Sequence, residues 1–263
     1  MNDKYSILIN STDSYSDCWY PFFTLLKNIW KNIGVKIYLN CENKVFTFDG
    51  VDIYPIRNQK SFTWSECLLN AIEQIKSPII LYMQDDYFVD SVVDSKSIDE
   101  FAELMIQNPE IKTIGLTKFG SPASKAFYPD DNRLKIVRQH AKYRISLQAG
   151  MWNKECLKSY LLSDENGWMF EIFGSGRARK KKDLFLTISS DSFKKDAVIN
   201  YMHTGIIKGK WHKNIPDFFK SENIDIDFSI RGLIDPTKNR IINKIQTIKK
   251  LISRPAKLKY LLP

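Results

Sequence analysis

The sequence contains few cysteines and no cysteine motif. Its 263 residues include only Cys18, Cys41, Cys67 and Cys156, which are widely separated. The Cys-X-X-Cys pattern of zinc knuckles and thioredoxin-like redox sites is therefore absent. Scattered cysteines in a chain of this size favour reduced, mostly buried thiols, as in a cytosolic protein.

Targeting signals and common nucleotide-binding motifs are also missing. The first residues, MNDKYSILIN, lack the basic stretch, long apolar run and small-residue cleavage site of a signal peptide. No window approaches ~18 uninterrupted apolar residues, so we expect no membrane-spanning helix. Neither GxGxxG nor GxxxxGK[ST] occurs, which disfavours Rossmann oxidoreductases and P-loop enzymes.

Positive charge is concentrated at one end of the chain. The net charge is +9, of which +8 lies in residues 231–263 and only +1 in residues 1–230. A nucleic-acid-binding protein usually spreads its positive charge over a folded face, so we expect no nucleic-acid partner. A basic tail on a nearly neutral body favours an electrostatic tether to anionic lipid.

Hydrophobic residues make up 43% of the chain and aromatic residues 13%, which is enough for a packed core. Apolar patterning predicts helices at 19–33 (ended by Gly34), 63–75 (capped by Thr63 or Ser65), 97–107 and 153–162. It predicts strands at 5–10, 35–40, 51–56, 79–83, 112–116, 143–149, 183–188 and 197–202. Residues 117–142 read as irregular. Strands that alternate with helices predict an α/β fold with a mainly parallel central sheet.

The strongest chemical signal is Asp85-Asp86, which follows the apolar run IILYM. Two adjacent carboxylates repel each other when both are ionised, and a divalent cation relieves that repulsion. Carboxylate oxygens suit Mg²⁺ or Mn²⁺, with a nucleotide diphosphate filling the remaining ligand positions. In open α/β sheets, ligands bind beyond the carboxyl ends of the strands.

The strand YSILIN, the loop STDSYSD, the helix near Ser65-Glu66 and the segment ILYMQDDYF together resemble the GT-A glycosyltransferases. The similarity is to the family 2-like enzymes of bacterial capsule and lipopolysaccharide assembly. It implies a GT-A domain at 1–230 followed by the tail at 231–263. It also implies a UDP-sugar donor. Asp86 would be the metal ligand, Asp85 would contact the ribose or the metal, and Asp13 or the neighbouring loop would lie near the nucleotide base.

The same resemblance implies that Glu171, in NGWMFEIFGSGRAR, is the general base of an inverting transfer. Partial burial in an aromatic, glycine-rich segment would raise the basicity of this carboxylate. Glu171 could instead form a structural salt bridge to Arg177 or Arg179, and Asp164-Glu165 is the fallback acidic pair.

The segment YMHTGIIKGKWHK supplies further candidates. His203 could complete the Mn²⁺ sphere, as late histidines do in many GT-A enzymes, or be structural. Lys208 and Lys210 could neutralise the leaving diphosphate. Trp211 could stack on a sugar or pack in the core.

Further substrate contacts are expected from side chains before and within the Glu171 segment. Gln148 and Trp152, in SLQAGMW, would contact acceptor or donor sugar, and Trp168 is expected to bind substrate too. A strand ending in tryptophan could equally be ordinary core. Arg177 and Arg179 could contact phosphate, or lie in a solvated turn.

Residues 237–252 place an isoleucine stripe between lysines and arginines, at Ile241, Ile242, Ile245, Ile248 and Ile252. This pattern is typical of an amphipathic helix at an anionic membrane surface, although such a helix could also pack on the body.

The prediction is a cytoplasmic glycosyltransferase, peripheral to the inner membrane face, with a saccharide or lipid-linked acceptor. Two alternatives remain open. One is a sugar nucleotidyltransferase, which usually has a glycine-rich basic loop after the first strand. The other is a non-catalytic, membrane-tethered sugar- or nucleotide-binding module.

Overall fold

A nine-stranded mixed sheet forms the centre of the computed structural model, which describes residues 4–31, 33–193, 197–202, 204–236 and 254–260. The strand order is β3-β2-β1-β4-β8-β5-β9-β7-β6. The strands are β1 (Tyr5–Asn10), β2 (Ile37–Cys41), β3 (Ile53–Arg57), β4 (Ile79–Gln84), β5 (Ile111–Gly115), β6 (Ala123–Tyr128), β7 (Asp131–Val137), β8 (Gly150–Asn153) and β9 (Leu184–Ile188).

Strand direction brings the carboxyl ends of the first strands to one edge of the sheet. Strands β1 to β4 are mutually parallel, and only β7 and β8 oppose the other seven. Register places Asn10, the last residue of β1, beside Gln84, the last residue of β4. The expected α/β architecture with a mainly parallel sheet is confirmed.

Helices flank the sheet on both faces: α1 (Trp19–Ile29), α2 (Trp64–Gln74), α3 (Ser95–Gln107), α4 (Lys154–Tyr160), α5 (Gly167–Met169), α6 (Ser175–Arg179) and α7 (Ile215–Ser221). Thr63, one of the two predicted caps, is the N-cap of α2 and forms a capping box with Glu66. Within the described residues, no helix combines the length and the apolar character needed to cross a membrane.

The core has a layer on each face of the sheet because buried strands alternate their side chains. Ile7 and Ile9 of β1 pack with α1 and α3, whereas Leu8 packs with α2 and α4. Such two-sided burial explains why β1 and β4 are almost continuously apolar.

Several predicted boundaries are wrong. Residues 117–142 contain the hairpin β6–β7, whose outer strand β6 is largely exposed and so lacks an apolar pattern. Residues 143–149 form no strand; the strand begins at Gly150. Residues 197–202 contribute only a bridge between Val89 and Tyr201, and α1 ends at Ile29, before Gly34.

A small second sheet lies beyond the large one. Its strands are β10 (Ile206–Ile207), β11 (Lys210–His212) and β12 (Leu233–Ile234), in the order β10-β11-β12. Lys208 and Gly209 link β10 to β11 with positive φ angles of 53° and 78°, as a two-residue hairpin turn requires. The start of the basic tail thus belongs to this sheet.

Candidate active site

The acidic pair lies where β4 ends, and both carboxylates are buried, with Asp85 4% and Asp86 5% exposed. The hydroxyl of Ser11, directly after β1, donates a hydrogen bond to Asp85. The indole nitrogen of Trp19 in turn donates to the Ser11 hydroxyl at 2.6 Å. Asp85 is therefore fixed to the neighbouring parallel strand.

Asp86 connects the large sheet to the small one. Its Oδ2 accepts hydrogen bonds from the Thr204 hydroxyl and from the Ile206 N–H, the latter at 3.2 Å. Its backbone carbonyl accepts the Gly205 N–H at 2.8 Å. Its other carboxylate oxygen, Oδ1, is buried without a hydrogen-bond partner. A buried acceptor in this position is a candidate ligand atom.

The electrostatics of the pair favour a cation. Burial, and then the charge of Asp86, raise the pKa of Asp85 well above its usual range. Burial also raises the pKa of Asp86, although its hydrogen bonds act in the opposite direction. A divalent ion would lower both pKa values, and its preferred hard oxygen ligands are the ones present.

The described part of the chain contains no group of three or more His, Cys, Asp or Glu side chains arranged to hold a metal. His203, expected as a third metal ligand, lies outside the described residues. The two carboxylates fit a cation that takes its remaining ligands from a bound substrate, which is how Mg²⁺ is commonly held.

A cleft of about 620 Å³ includes Asp17 and Arg231 in its lining, and the charges of these two residues act on the pKa values of Asp85 and Asp86, respectively. It is bounded by the loop after β1, the chain after β2, the β10–β11 turn and residues 230–231. Four of its lining residues are basic: Lys44, Lys208, Lys210 and Arg231. The structure thus brings Lys208 and Lys210, predicted from sequence, together with two basic residues that sequence reasoning missed.

Arg231 closes one side of the cleft. Its guanidinium pairs with both carboxylate oxygens of Asp17 at 2.6 Å and lies 4.6 Å from the centre of the Tyr15 ring. Its charge also acts to lower the pKa of Asp86, so it is within electrostatic reach of the acidic pair. Sequence reasoning assigned Arg231 only to the basic tail, because nothing local indicates a partner 214 residues earlier.

Asp13 lines the same cleft, but its carboxylate is already engaged. It accepts hydrogen bonds from the backbone N–H groups of Glu42, Asn43 and Lys44 at 2.9, 2.8 and 3.0 Å. Burial acts to raise its pKa, but these bonds outweigh burial and hold the pKa below its usual value. Asp13 therefore shapes the cleft wall by fixing the chain after β2.

Glu171 lies in a π-helical turn, Phe170–Gly174, between α5 and α6. One carboxylate oxygen accepts the Leu147 N–H at 2.8 Å. Burial raises the pKa of Glu171, with that hydrogen bond partly opposing it. The alternative of a salt bridge to Arg177 or Arg179 is wrong. Arg177 pairs with Glu165, and the Arg179 Nε donates to a backbone carbonyl.

Two stacked tyrosines are within electrostatic reach of both Asp86 and Glu171. The Tyr87 and Tyr201 rings are 4.7 Å apart and nearly parallel, and both feel the charges of Asp86 and Glu171. Gln148 bridges the two phenols, donating to the Tyr87 oxygen at 3.2 Å and accepting from the Tyr201 hydroxyl at 2.7 Å. Gln148 is thus held by two tyrosines that sequence reasoning missed, and its contact with a sugar stays a prediction.

The predictions for Trp152 and Trp211 are wrong. Trp152 is 2% exposed and packs edge-on against Phe185, because β8 is interior to the sheet. Trp211 is 0% exposed and packs against Phe88 and an adjacent aromatic cluster. Neither ring has a face open to a sugar. Trp168 is half-buried against the cluster around Met169.

The fallback acidic pair is structural. Glu165 is buried and forms a two-point ion pair with Arg177, at 2.6 and 2.8 Å. Asp164 pairs with Lys257 at 2.6 Å. The expectation that Arg177 contacts phosphate is likewise wrong, because its guanidinium is committed to Glu165 and to the Tyr160 carbonyl.

Comparison with known proteins gives structural likeness only. No protein-family model matches the sequence, and no curated protein matches it significantly. A cytidylyltransferase from Leptospira borgpetersenii serovar Hardjo-bovis superposes with a TM-score of 0.50 at 12% identity, covering 95% of each chain. S. aureus TarS gives 0.47 at 10% identity, covering 86% of this chain and 41% of TarS. A CMP:2-keto-3-deoxy-manno-octonic acid synthetase solved with CTP gives 0.40 at 14% identity, covering 70% and 88%.

Likeness at this level of identity concerns the fold alone. The chain has an α/β fold with a mostly parallel central sheet and flanking helices, and it is similar in fold to the cytidylyltransferase.

Proposed function

We propose that this protein is a glycosyltransferase that moves a sugar from a nucleoside diphosphate, UDP by preference, to a saccharide hydroxyl. One observation carries the proposal: the buried pair Asp85-Asp86, with one carboxylate oxygen unpartnered, is joined through residues 204–206 to a cleft with four basic side chains. Carboxylates that can bind a metal ion and basic side chains that can bind a diphosphate, at the carboxyl ends of the strands, suit a nucleotide-sugar donor.

The donor half of the reaction uses the cleft. Asp86, aided by Asp85, would hold a Mn²⁺ or Mg²⁺ ion, which when bound screens the charge of the diphosphate leaving group. Lys208 and Lys210 lie in the cleft lining, on and beside the turn of the hairpin whose backbone bonds Asp86. Their ammonium groups stabilise the charge that develops on the leaving diphosphate.

The base is Glu171. Its half-buried carboxylate has a raised pKa, which makes it a better proton acceptor than an exposed glutamate. The Leu147 N–H holds one oxygen and leaves the other to take the proton of an acceptor hydroxyl. Attack by that hydroxyl on the anomeric carbon from the face opposite the diphosphate gives inversion.

The acceptor side is aromatic. Phe119 is 53% exposed and lies 5.8 Å from Tyr201, ring centre to ring centre. Tyr143 is 38% exposed; burial, and then the charge of Glu171, raise its pKa. Exposed rings, one of them within electrostatic reach of Glu171, suit a pyranose, which has an apolar face and a polar rim. From the family resemblance we further propose a lipid-linked acceptor in surface polysaccharide assembly, at the inner membrane face.

Nucleotidyl transfer is the competing chemistry, because sugar nucleotidyltransferases also use an α/β sheet with paired acids. Those enzymes usually bind the triphosphate with a glycine-rich, basic loop after the first strand. Here that loop is STDSYSD, without glycine or a basic residue, and Asp17 within it is paired with Arg231. This observation favours sugar transfer.

The test combines nucleotide binding with product analysis. Thermal unfolding is measured with UDP, GDP, dTDP, CMP and CTP, each with and without Mn²⁺, for the wild type, Asp86→Asn and the control Asp49→Asn, whose side chain is fully exposed. A ligand at about 100 times its Kd adds about 2.7 kcal/mol, or roughly 5–10 °C. We expect a metal-dependent response to one diphosphate that is lost only in Asp86→Asn.

Incubation with the matching nucleotide-sugar should then release the nucleoside diphosphate. Release of pyrophosphate from CTP and a sugar would establish nucleotidyl transfer instead. Binding without turnover on any acceptor would favour the non-catalytic module. No response to any diphosphate would contradict the proposal.

A further inference from the structure

Residues 254–260, termed the docked segment, pack on the part of the chain that carries Glu171. The segment contains a 3₁₀ helix, Pro255–Tyr260, which lies against the π-helical turn and α6. Lys257 is only 8% exposed, and its ammonium group donates to Asp164 at 2.6 Å and to Glu165 at 3.2 Å. A lysine this buried is held by its partners.

Glu165, the buried carboxylate at this contact, keeps an ion-pair partner without Lys257. Glu165 already has a two-point ion pair with Arg177, so removing Lys257 leaves no buried carboxylate unpaired. Substitution of Lys257 should therefore release the docked segment without unfolding the body of the protein.

A glycine in α6 makes the close approach possible. A Cβ at Gly176 would lie 1.7 Å from the carbonyl oxygen of Tyr260 and 2.6 Å from its carbonyl carbon. Because both are backbone atoms, an alanine at this position could be accommodated only if the docked segment moved away. The docked segment is thus held by its ion pairs and also depends on the absence of a side chain at Gly176.

Tyr260 completes the packing around the proposed base. Its side chain lies against the cluster formed by Met169, Ile172 and Phe173 and lies 5.2 Å from the Arg177 guanidinium, measured to the ring centre. Ile172 and Phe173 directly follow Glu171. Undocking would expose part of this apolar cluster and loosen the turn that aims the Glu171 carboxylate.

We propose that the docked segment holds Glu171 in its working position, and that Lys257 is the positioning residue. This inference rests on the proposed function, because it takes Glu171 as the base. Turnover then depends on a segment that touches neither the acidic pair nor the cleft, and anything that competes for residues 254–260 would lower it.

The test uses the full chain with four variants. Lys257→Met removes the charge, Lys257→Arg conserves it, and Gly176→Ala displaces the segment sterically while improving helix propensity. Lys259→Met makes the same charge change at an exposed position of the same helix. Amide hydrogen exchange of residues 163–179 is measured by mass spectrometry, together with kcat and donor KM for transfer or donor hydrolysis.

We expect faster exchange of residues 163–179 in Lys257→Met and Gly176→Ala, with kcat about tenfold lower and donor KM unchanged, since small misplacements of a reacting group are costly. Lys257→Arg should recover most of the kcat, and Lys259→Met should match the wild type. Unchanged exchange in both Lys257→Met and Gly176→Ala would overturn docking, and faster exchange with normal kcat would overturn positioning. A wild type without turnover would refute the proposed function, and the positioning role with it, while the exchange data would still decide docking.

Discussion

Gly205 is the position where a single methyl group should do most damage near the acidic pair. A Cβ there would lie 2.2 and 2.7 Å from two carbons of the Phe88 ring and 3.1 Å from the Asp86 carbonyl oxygen. The ring cannot turn away easily, because it packs between Trp211 and Phe219 at centroid distances of 6.0 and 4.8 Å. Gly205→Ala therefore overpacks a rigid aromatic cluster.

Overpacking of this kind costs about 2 kcal/mol, which corresponds to a Tm lowered by roughly 4–8 °C for a chain of this size. A functional effect should accompany it. The Gly205 N–H donates to the Asp86 carbonyl at 2.8 Å, so a shift of residue 205 carries Asp86 with it. Stabilisation by nucleotide and Mn²⁺ should fall by more than the lower starting stability explains.

The assay is urea unfolding with and without ligand, and Gly34→Ala is the matched control. A Cβ at Gly34 meets nothing within 4 Å, so this variant should be as stable as the wild type or slightly more stable. Equal stability of Gly205→Ala and Gly34→Ala would show that the Phe88 ring yields, and the reasoning would be refuted.

Three further predictions address the base, the strand ends and the cleft. Burial raises the pKa of Glu171, so the transfer rate should fall as pH drops through that raised pKa, and Glu171→Gln should abolish this limb with a loss of about 10²–10⁴-fold. The contribution of Glu171 to the free energy of unfolding is present below the usual glutamate pKa and is lost as pH rises through the raised pKa. Glu171→Gln should therefore be more stable than the wild type at neutral pH but not near pH 4. Equal unfolding curves for the two proteins at both pH values would contradict this. Asn40→Ala should cost about 1–3 kcal/mol in urea unfolding, because the fully buried Asn40 amide donates to Asn10 at 2.8 Å; an unchanged midpoint would show that Asn10 finds another donor. Arg231→Ala should weaken diphosphate binding about tenfold in titration calorimetry, and less at high salt; an unchanged Kd would place the phosphates elsewhere.

The first half of the fold could be read from the sequence because its signals are local. Strands β1 and β4 are apolar on both faces, and Thr63 and Glu66 form a capping box that marks the start of α2. The acidic pair directly follows such a strand, so its position at the sheet edge required no knowledge of distant residues.

The errors have physical causes that local patterns do not reveal. Residues 143–149 alternate apolar and polar side chains as a strand would, but side chains satisfy part of their backbone: Glu171 and Ser175 accept from the N–H groups of Leu147 and Ile145. Trp211 looked like a sugar platform because its burial is decided by residues far along the chain. Hydrophobic periodicity does not predict ion pairs such as Arg231 with Asp17 for the same reason, because the two residues are far apart in the sequence.

The ion pair between Asp17 and Arg231 also bears on when the cleft forms during folding. Its members are 214 residues apart, and Asp86 is likewise bonded to residues 118 and 120 positions later. Contacts of such sequence separation form late and slowly, because loop closure must precede them. The parallel strands β1–β4 could assemble during synthesis, but the cleft cannot. A nascent chain would thus have its fold nucleus well before its cleft, and the proposed donor binding could begin only after Arg231 has been made.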